Sequence, residues 1–270
     1  LGTRVYRAQN PTPGAYVNFY LREKPKEAVT LTLKDGKGAV LRTLEDSTAG
    51  FGINRMVWDL RGKEAVPFAG APRGGWRSGR VKPYVPPGTY TAVLKAGGET
   101  LETQIKVLPD PRLDLSQADY VAQAQHTAKL RDILNETHTM LNQMDAMHDQ
   151  LKAVKQRIQS EQGDHKALLK EVDQVLEELV EQRNELTRPA PAMSYRQRPR
   201  LREEILSQMY ATDGAPAKPT GPQAARATQL TEEKNEAAKQ FKTFMDGPVK
   251  ALNQKLEGMP AVAVKEEIGS

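Results

Sequence analysis

Residues 52–60 read GINRMVWDL, and residues 86–94 read PPGTYTAVL. Successive side chains of an extended strand point to opposite faces, so Asn54, Met56, Trp58 and Leu60 share one face. Ile53, Arg55, Val57 and Asp59 share the other. The first face is the heavier, which directs Trp58 into a core. Tyr90 follows the turn at Gly88 and is placed to pack beside it, an aromatic pair worth about 0.5–1.5 kcal/mol beyond its buried area. Asp59 falls at the strand end, where its carboxylate suits the backbone of the loop that begins at Arg61. Trp58 and Tyr90 are therefore expected to be structural core. A sugar-stacking role for Trp58 would require an exposed ring.

Outward from these two strands the same period of two continues. It predicts strands at 15–21, 29–35, 40–44, 53–60, 88–96 and 101–108, with hairpin turns where Gly supplies positive φ at 35–38 and 96–99. Six or seven short strands in a hundred or so residues predict an antiparallel β-sandwich over residues 1–112. One connection does not fit a hairpin. The segment from Arg61 to Pro87 is rich in Gly and Pro and too long for a tight turn.

At Pro109-Asp110-Pro111 the pattern changes. Gly and Pro almost vanish until Gly163, while Leu130, Leu134, Leu141, Met144, Leu151 and Ile158 recur at helical spacing. Ser116 and Asp119 make a capping box with Asp in the place where Glu or Gln is usual. Helices are predicted over 116–162, 164–187, 200–211 and 222–257, with Asp164 capping the second and Asp246-Gly247-Pro248 kinking or ending the last. Residues 259–270 read as a tail. Long amphipathic helices are marginal alone, so residues 113–258 are expected to form an elongated antiparallel helical bundle, making the chain an α+β protein of two domains.

The charge divides with the pattern. Residues 1–113 carry 18 Lys/Arg against 10 Asp/Glu, and residues 114–270 carry 21 against 24, so the overall +5 describes neither half. The basic residues of the first half are scattered over strands and loops with no nucleic-acid motif, which excludes nucleic acid as the expected partner. The absence of cysteine removes disulfides, thiolate metal sites and cysteine nucleophiles. No apolar run of about 18 residues is present to span a membrane. The chain opens at Leu1, which reads either as a processed terminus or as the start of a piece of something longer.

Four stretches, RVYRAQNPTPGAYVNFYL, VTLTLKDGKGAVLRTL, GINRMVWDLR and PPGTYTAVL, stand in that order over residues 4–112. Together they resemble the C-terminal region of large bacterial exported proteins that carry a BNR-repeat, sortilin-like β-propeller and are often labelled glycosyl hydrolases. Within that region the β part is similar to the Ig-like domain of the flagellar hook-capping protein, and a helical segment often follows. The resemblance implies an Ig-like sandwich and export to the periplasm or cell surface. The propeller is absent, as is any Asp-box of the S-x-D-x-G-x-T-W type, so the hydrolase label belongs to the part this chain lacks.

Chemistry-bearing patterns are sparse. His138 and His148 lie ten residues apart on one predicted helix, roughly 15 Å along its axis, and cannot share a metal. His148 falls on the apolar stripe between Met144 and Leu151 and reads as a packing histidine. Glu171, Asp173, Glu177, Glu178, Glu181 and Glu185 crowd the second helix on its solvated face, where nothing drives their pKa values apart for acid–base work. Nucleophile elbow, P-loop and dinucleotide fingerprint are all missing. No cofactor, metal or catalysis is expected.

The basic loop is the candidate partner-binding surface. Arg61, Lys63, Arg73, Arg77, Arg80 and Lys82 interleave there with Phe68, Trp76 and Tyr84, a mixture typical of interface anchors. A Pro-stiffened loop packed on its own domain is the rival. Met140, Met144 and Met147 read as helix-pair core or as an adaptable partner face. Tyr195–Arg200, YRQRPR, adds a second basic spot, where a membrane surface would be felt. The sequence thus points to a non-catalytic scaffold that holds protein subunits of a larger extracytoplasmic or membrane-associated assembly. A carbohydrate-binding accessory module is the alternative, and it requires two or more exposed, coplanar aromatic rings.

Overall fold

The computed structural model describes residues 8–71, 82–189, 197–256, 258 and 260–264. The fold is mixed α+β, with two antiparallel sheets followed by helices. The strands are β1 (Ala15–Leu21), β2 (Val29–Lys34), β3 (Val40–Asp46), β4 (Gly52–Trp58), β5 (Gly88–Ala96) and β6 (Glu99–Val107). β1 and β4 form a two-stranded sheet, and the other sheet runs β3-β2-β5-β6.

Both sheets contribute to one core. Val29, Leu31, Leu33, Met56, Trp58, Tyr90, Ala92 and Leu94 are buried in a single cluster. Trp58 and Tyr90 meet edge to face, with ring centroids 5.2 Å apart at 70°. Each polar tip finds a backbone carbonyl: Trp58 Nε1 donates to Arg61 O at 2.9 Å and Tyr90 Oη to Pro86 O at 2.5 Å. Burial pushes the Tyr90 hydroxyl up to about 12. At the end of β4, Asp59 accepts from the Arg61 amide and from Arg42 Nη1 at 2.6 and 2.8 Å. The start of β1 has no room for a side chain. Gly14 takes φ +142°, and a Cβ there would lie 2.3 Å from Trp58 O.

The helices are α1 (Gln117–Ser160), α2 (Lys166–Leu186), α3 (Leu201–Asp213), α4 (Gly221–Phe244) and α5 (Lys250–Lys255). The Ser116–Asp119 box starts α1, with Asp119 N donating to Ser116 Oγ and Ser116 N to Asp119 Oδ2. At α2 the cap shifts by one residue from the expected Asp164 to His165, although Asp164 Oδ1 still accepts from Lys166 N. The last predicted helix is not continuous. Pro248 has no amide hydrogen to donate, and the chain widens into a π turn over Met245–Val249 before α5.

Met140, Met144 and Met147 lie in the helical core with Leu134, Leu141 and Leu151. The α2 carboxylates form ion pairs with neighbouring elements: Asp173 with Lys155, Glu171 with Lys255, Glu185 with Arg200. Exposed pairs of this kind contribute about 0–1 kcal/mol each. No described helix is long and apolar enough to cross a membrane.

The chain divides into two compact units. One unit holds Leu1–Lys63 with Lys82–Ala124, and the other holds Glu64–Val81 with Gln125–Ser270. Of the described loop residues beyond Lys63, Ala65 and Phe68 are buried in the helical core.

Candidate functional site

The expected partner-binding loop divides at its neck. Arg61 and Tyr84 form an isolated antiparallel bridge, Gly62 N donates to Pro83 O, and Arg61 Nη1 donates to Lys82 O. The Arg61 guanidinium lies 3.6 Å from the centre of the Tyr84 ring. These contacts close the base of the loop within the β unit. Lys63 is exposed just beyond it. Arg73, Trp76, Arg77 and Arg80 lie outside the described residues.

Phe68 is not available to a partner. It is 7% exposed, in the helical core with Ala65. The backbone around it is held by a polar seam on α1 whose residues stand at i, i+3 and i+7. Asn135 Oδ1 accepts from Val66 N at 2.8 Å, Asn142 Oδ1 accepts from Ala69 N at 3.0 Å, and Asn142 Nδ2 donates to Pro67 O at 2.9 Å. Between them His138 Nδ1 meets Val66 O at 2.5 Å. A carbonyl only accepts, so Nδ1 carries the proton and Nε2 is left to accept from Arg202 Nε at 3.0 Å. Burial holds His138 down at about 4, and Arg202 adds to the same effect. Arg202 in turn reaches Glu203 at 3.3 Å and lies 5.2 Å over the Phe68 ring. This buried, fully partnered histidine is a latch for residues 65–69.

Extended backbone is pinned by side-chain amides a second time. Asn253 exchanges two hydrogen bonds with the Val262 backbone, and Gln150 exchanges two with Ala263. Part of the expected tail is thereby laid on the helices, with Val262 buried.

A second set of large exposed side chains lies in the β unit, outside the basic loop. On the outer face of the two-stranded sheet, Tyr16, Asn18 and Tyr20 of β1 stand opposite Val57, Arg55 and Ile53 of β4. Tyr20 is 60%, Ile53 84% and the adjoining Phe51 74% exposed. Arg55 lies 4.7 Å over the Tyr16 ring and its Nε donates to Asn18 Oδ1 at 2.8 Å. The alternation in AYVNFYL assigns Tyr16 and Tyr20 to one face. The rings do not form a flat platform: Tyr20 and Phe51 meet at 68°.

A groove of about 610 Å³ opens on the other side of β1, lined by Val17, Phe19, Leu31, Leu94 and Leu101. Its two carboxylates, Glu99 and Glu102, are three apart on one strand and therefore point to opposite faces, so they do not converge on a common atom. Among the described residues no group of three His, Asp or Glu is close enough to hold a metal ion. No known protein family, curated protein or solved structure matches this chain.

Proposed function

We propose that this chain is a non-catalytic scaffold in which an Ig-like β-sandwich and an antiparallel helical bundle hold protein subunits of a larger extracytoplasmic or membrane-associated assembly. The observation that carries the reading is the exposed face of β1 and β4, where Tyr16, Tyr20, Phe51 and Ile53 surround Arg55. Large apolar side chains gathered in water mark an interaction surface, and Tyr with Arg is the composition of interface anchors. The extracytoplasmic setting rests on the resemblance to the exported propeller proteins. Arg61, Lys63, Arg73, Trp76, Arg77, Arg80, Lys82 and Tyr84 stay in the proposal as further partner contacts, whereas Phe68 is buried inside the chain.

The carbohydrate-binding alternative loses support from the same face. Sugar rings stack on flat aromatic platforms, whereas Tyr20 and Phe51 are set nearly edge to face and Tyr16 is covered by Arg55. Retention on envelope polysaccharide separates the two readings. The natural chain and a Tyr20→Ala, Ile53→Asp double variant are expected to elute alike and without delay. Delay of the natural chain, lost in the variant, would replace the scaffold by a glycan-binding module.

A further inference from the structure

β6 is the outermost strand of the four-stranded sheet, nine residues long and in unbroken register with β5. Its outer edge has no strand partner among the described residues. Natural edges are usually blunted by Pro, bulges, short length or charged side chains, because a free row of N–H and C=O groups is a template for another strand. β6 has no Pro and no bulge and is not short, and its charges, Glu99, Glu102 and Lys106, are of both signs. Leu101 on it is 62% exposed although its neighbour across the ladder, Leu94, is in the core.

We propose that β6 pairs antiparallel with β6 of a second copy of this chain, joining the two four-stranded sheets edge to edge. This does not rest on the docking face, which belongs to the other sheet. The occupant is argued from the charge pattern. A two-fold axis perpendicular to the sheet keeps the core-facing side of both copies in line, so core-facing residues must meet core-facing residues. Ile105, Thr103 and Leu101 are those residues, being opposite Tyr90, Ala92 and Leu94.

With Gln104 on the axis, Thr103 meets Ile105, Leu101 meets Val107, and Glu102 meets Lys106 twice by symmetry. Every charged residue between Leu101 and Val107 is matched by its opposite, and the exposed Leu101 gains an apolar neighbour. Shifting the axis to Thr103 sets Glu102 against Gln104 and Glu99 against Val107. Shifting it to Glu102 opposes two like charges. Cross-strand pairs of this kind decide register.

Sedimentation equilibrium of the natural chain is expected to give twice the 29.9 kDa chain mass. Glu102→Lys alone or Lys106→Glu alone opposes two pairs of like charge, and each is expected to dissociate about ten-fold more readily or worse. An equimolar mixture of the two single variants regains complementarity and is expected to return to the dimer. Both positions are solvent-facing, and far-ultraviolet circular dichroism checks that each variant is folded. A natural chain that stays monomeric, a dimer that neither variant weakens, or a mixture that does not reassociate would each overturn the proposal.

Discussion

His138 shows how one side chain can be committed entirely to structure. Its Nδ1–H binds Val66 O, its Nε2 accepts from Arg202, and both bonds need the neutral ring. Protonation would place an Nε2–H against the Arg202 donor. The native value near 4 lies below the ordinary 6.5, so the unfolded chain takes up its proton first as pH falls. The stabilisation is complete above about pH 6.5 and is lost progressively down to about pH 4, amounting to roughly 3 kcal/mol. Urea denaturation of the helical unit at several pH values should show that slope. His138→Gln, which stays neutral, should lower stability at pH 7 and flatten the dependence below pH 6.5, and an unchanged slope would remove His138 as its source.

Among the elements, the strands and their turns were legible because period two and Gly-bearing turns are local signals. Hence Trp58 and Tyr90 could be paired across thirty residues of chain. The docked segment was not legible, because Ala65 and Phe68 lie in a Pro/Gly-rich stretch with no period at all. Its signature is on the partner element instead. Asn135, His138 and Asn142 make a polar stripe along one side of α1, spacing that marks a seam for backbone. Two alanines, at Asn135 and Asn142, should release that seam by about 1.5–4.5 kcal/mol, from three hydrogen bonds at their usual net value. Hydrogen exchange at Val66 and Ala69 should then quicken ten- to a hundred-fold while the β5 amides keep their protection. Equal protection in the double variant would mean that Phe68 burial alone holds the segment.

For the whole molecule, the sequence divides into a β half and a helical half, but the chain does not cross from one to the other once. It leaves the β unit at Lys63, contributes residues to the helical unit, and returns at Lys82. That path decides which part of the basic loop is free for a partner, and composition alone cannot show it. The outer face of β1 and β4 is exposed, and its alternation is readable in the sequence although its exposure is not. Exposure depends on which sheet covers which, a tertiary fact. The proposed function requires this face to dock a protein. A photo-crosslinking residue placed at Tyr20 in cells of the native organism, followed by mass spectrometry, tests it most directly. Reproducible links to subunits of one complex, removed by Ile53→Asp, are expected. Links confined to glycan-bearing material, or protein links indifferent to Ile53→Asp, would contradict it.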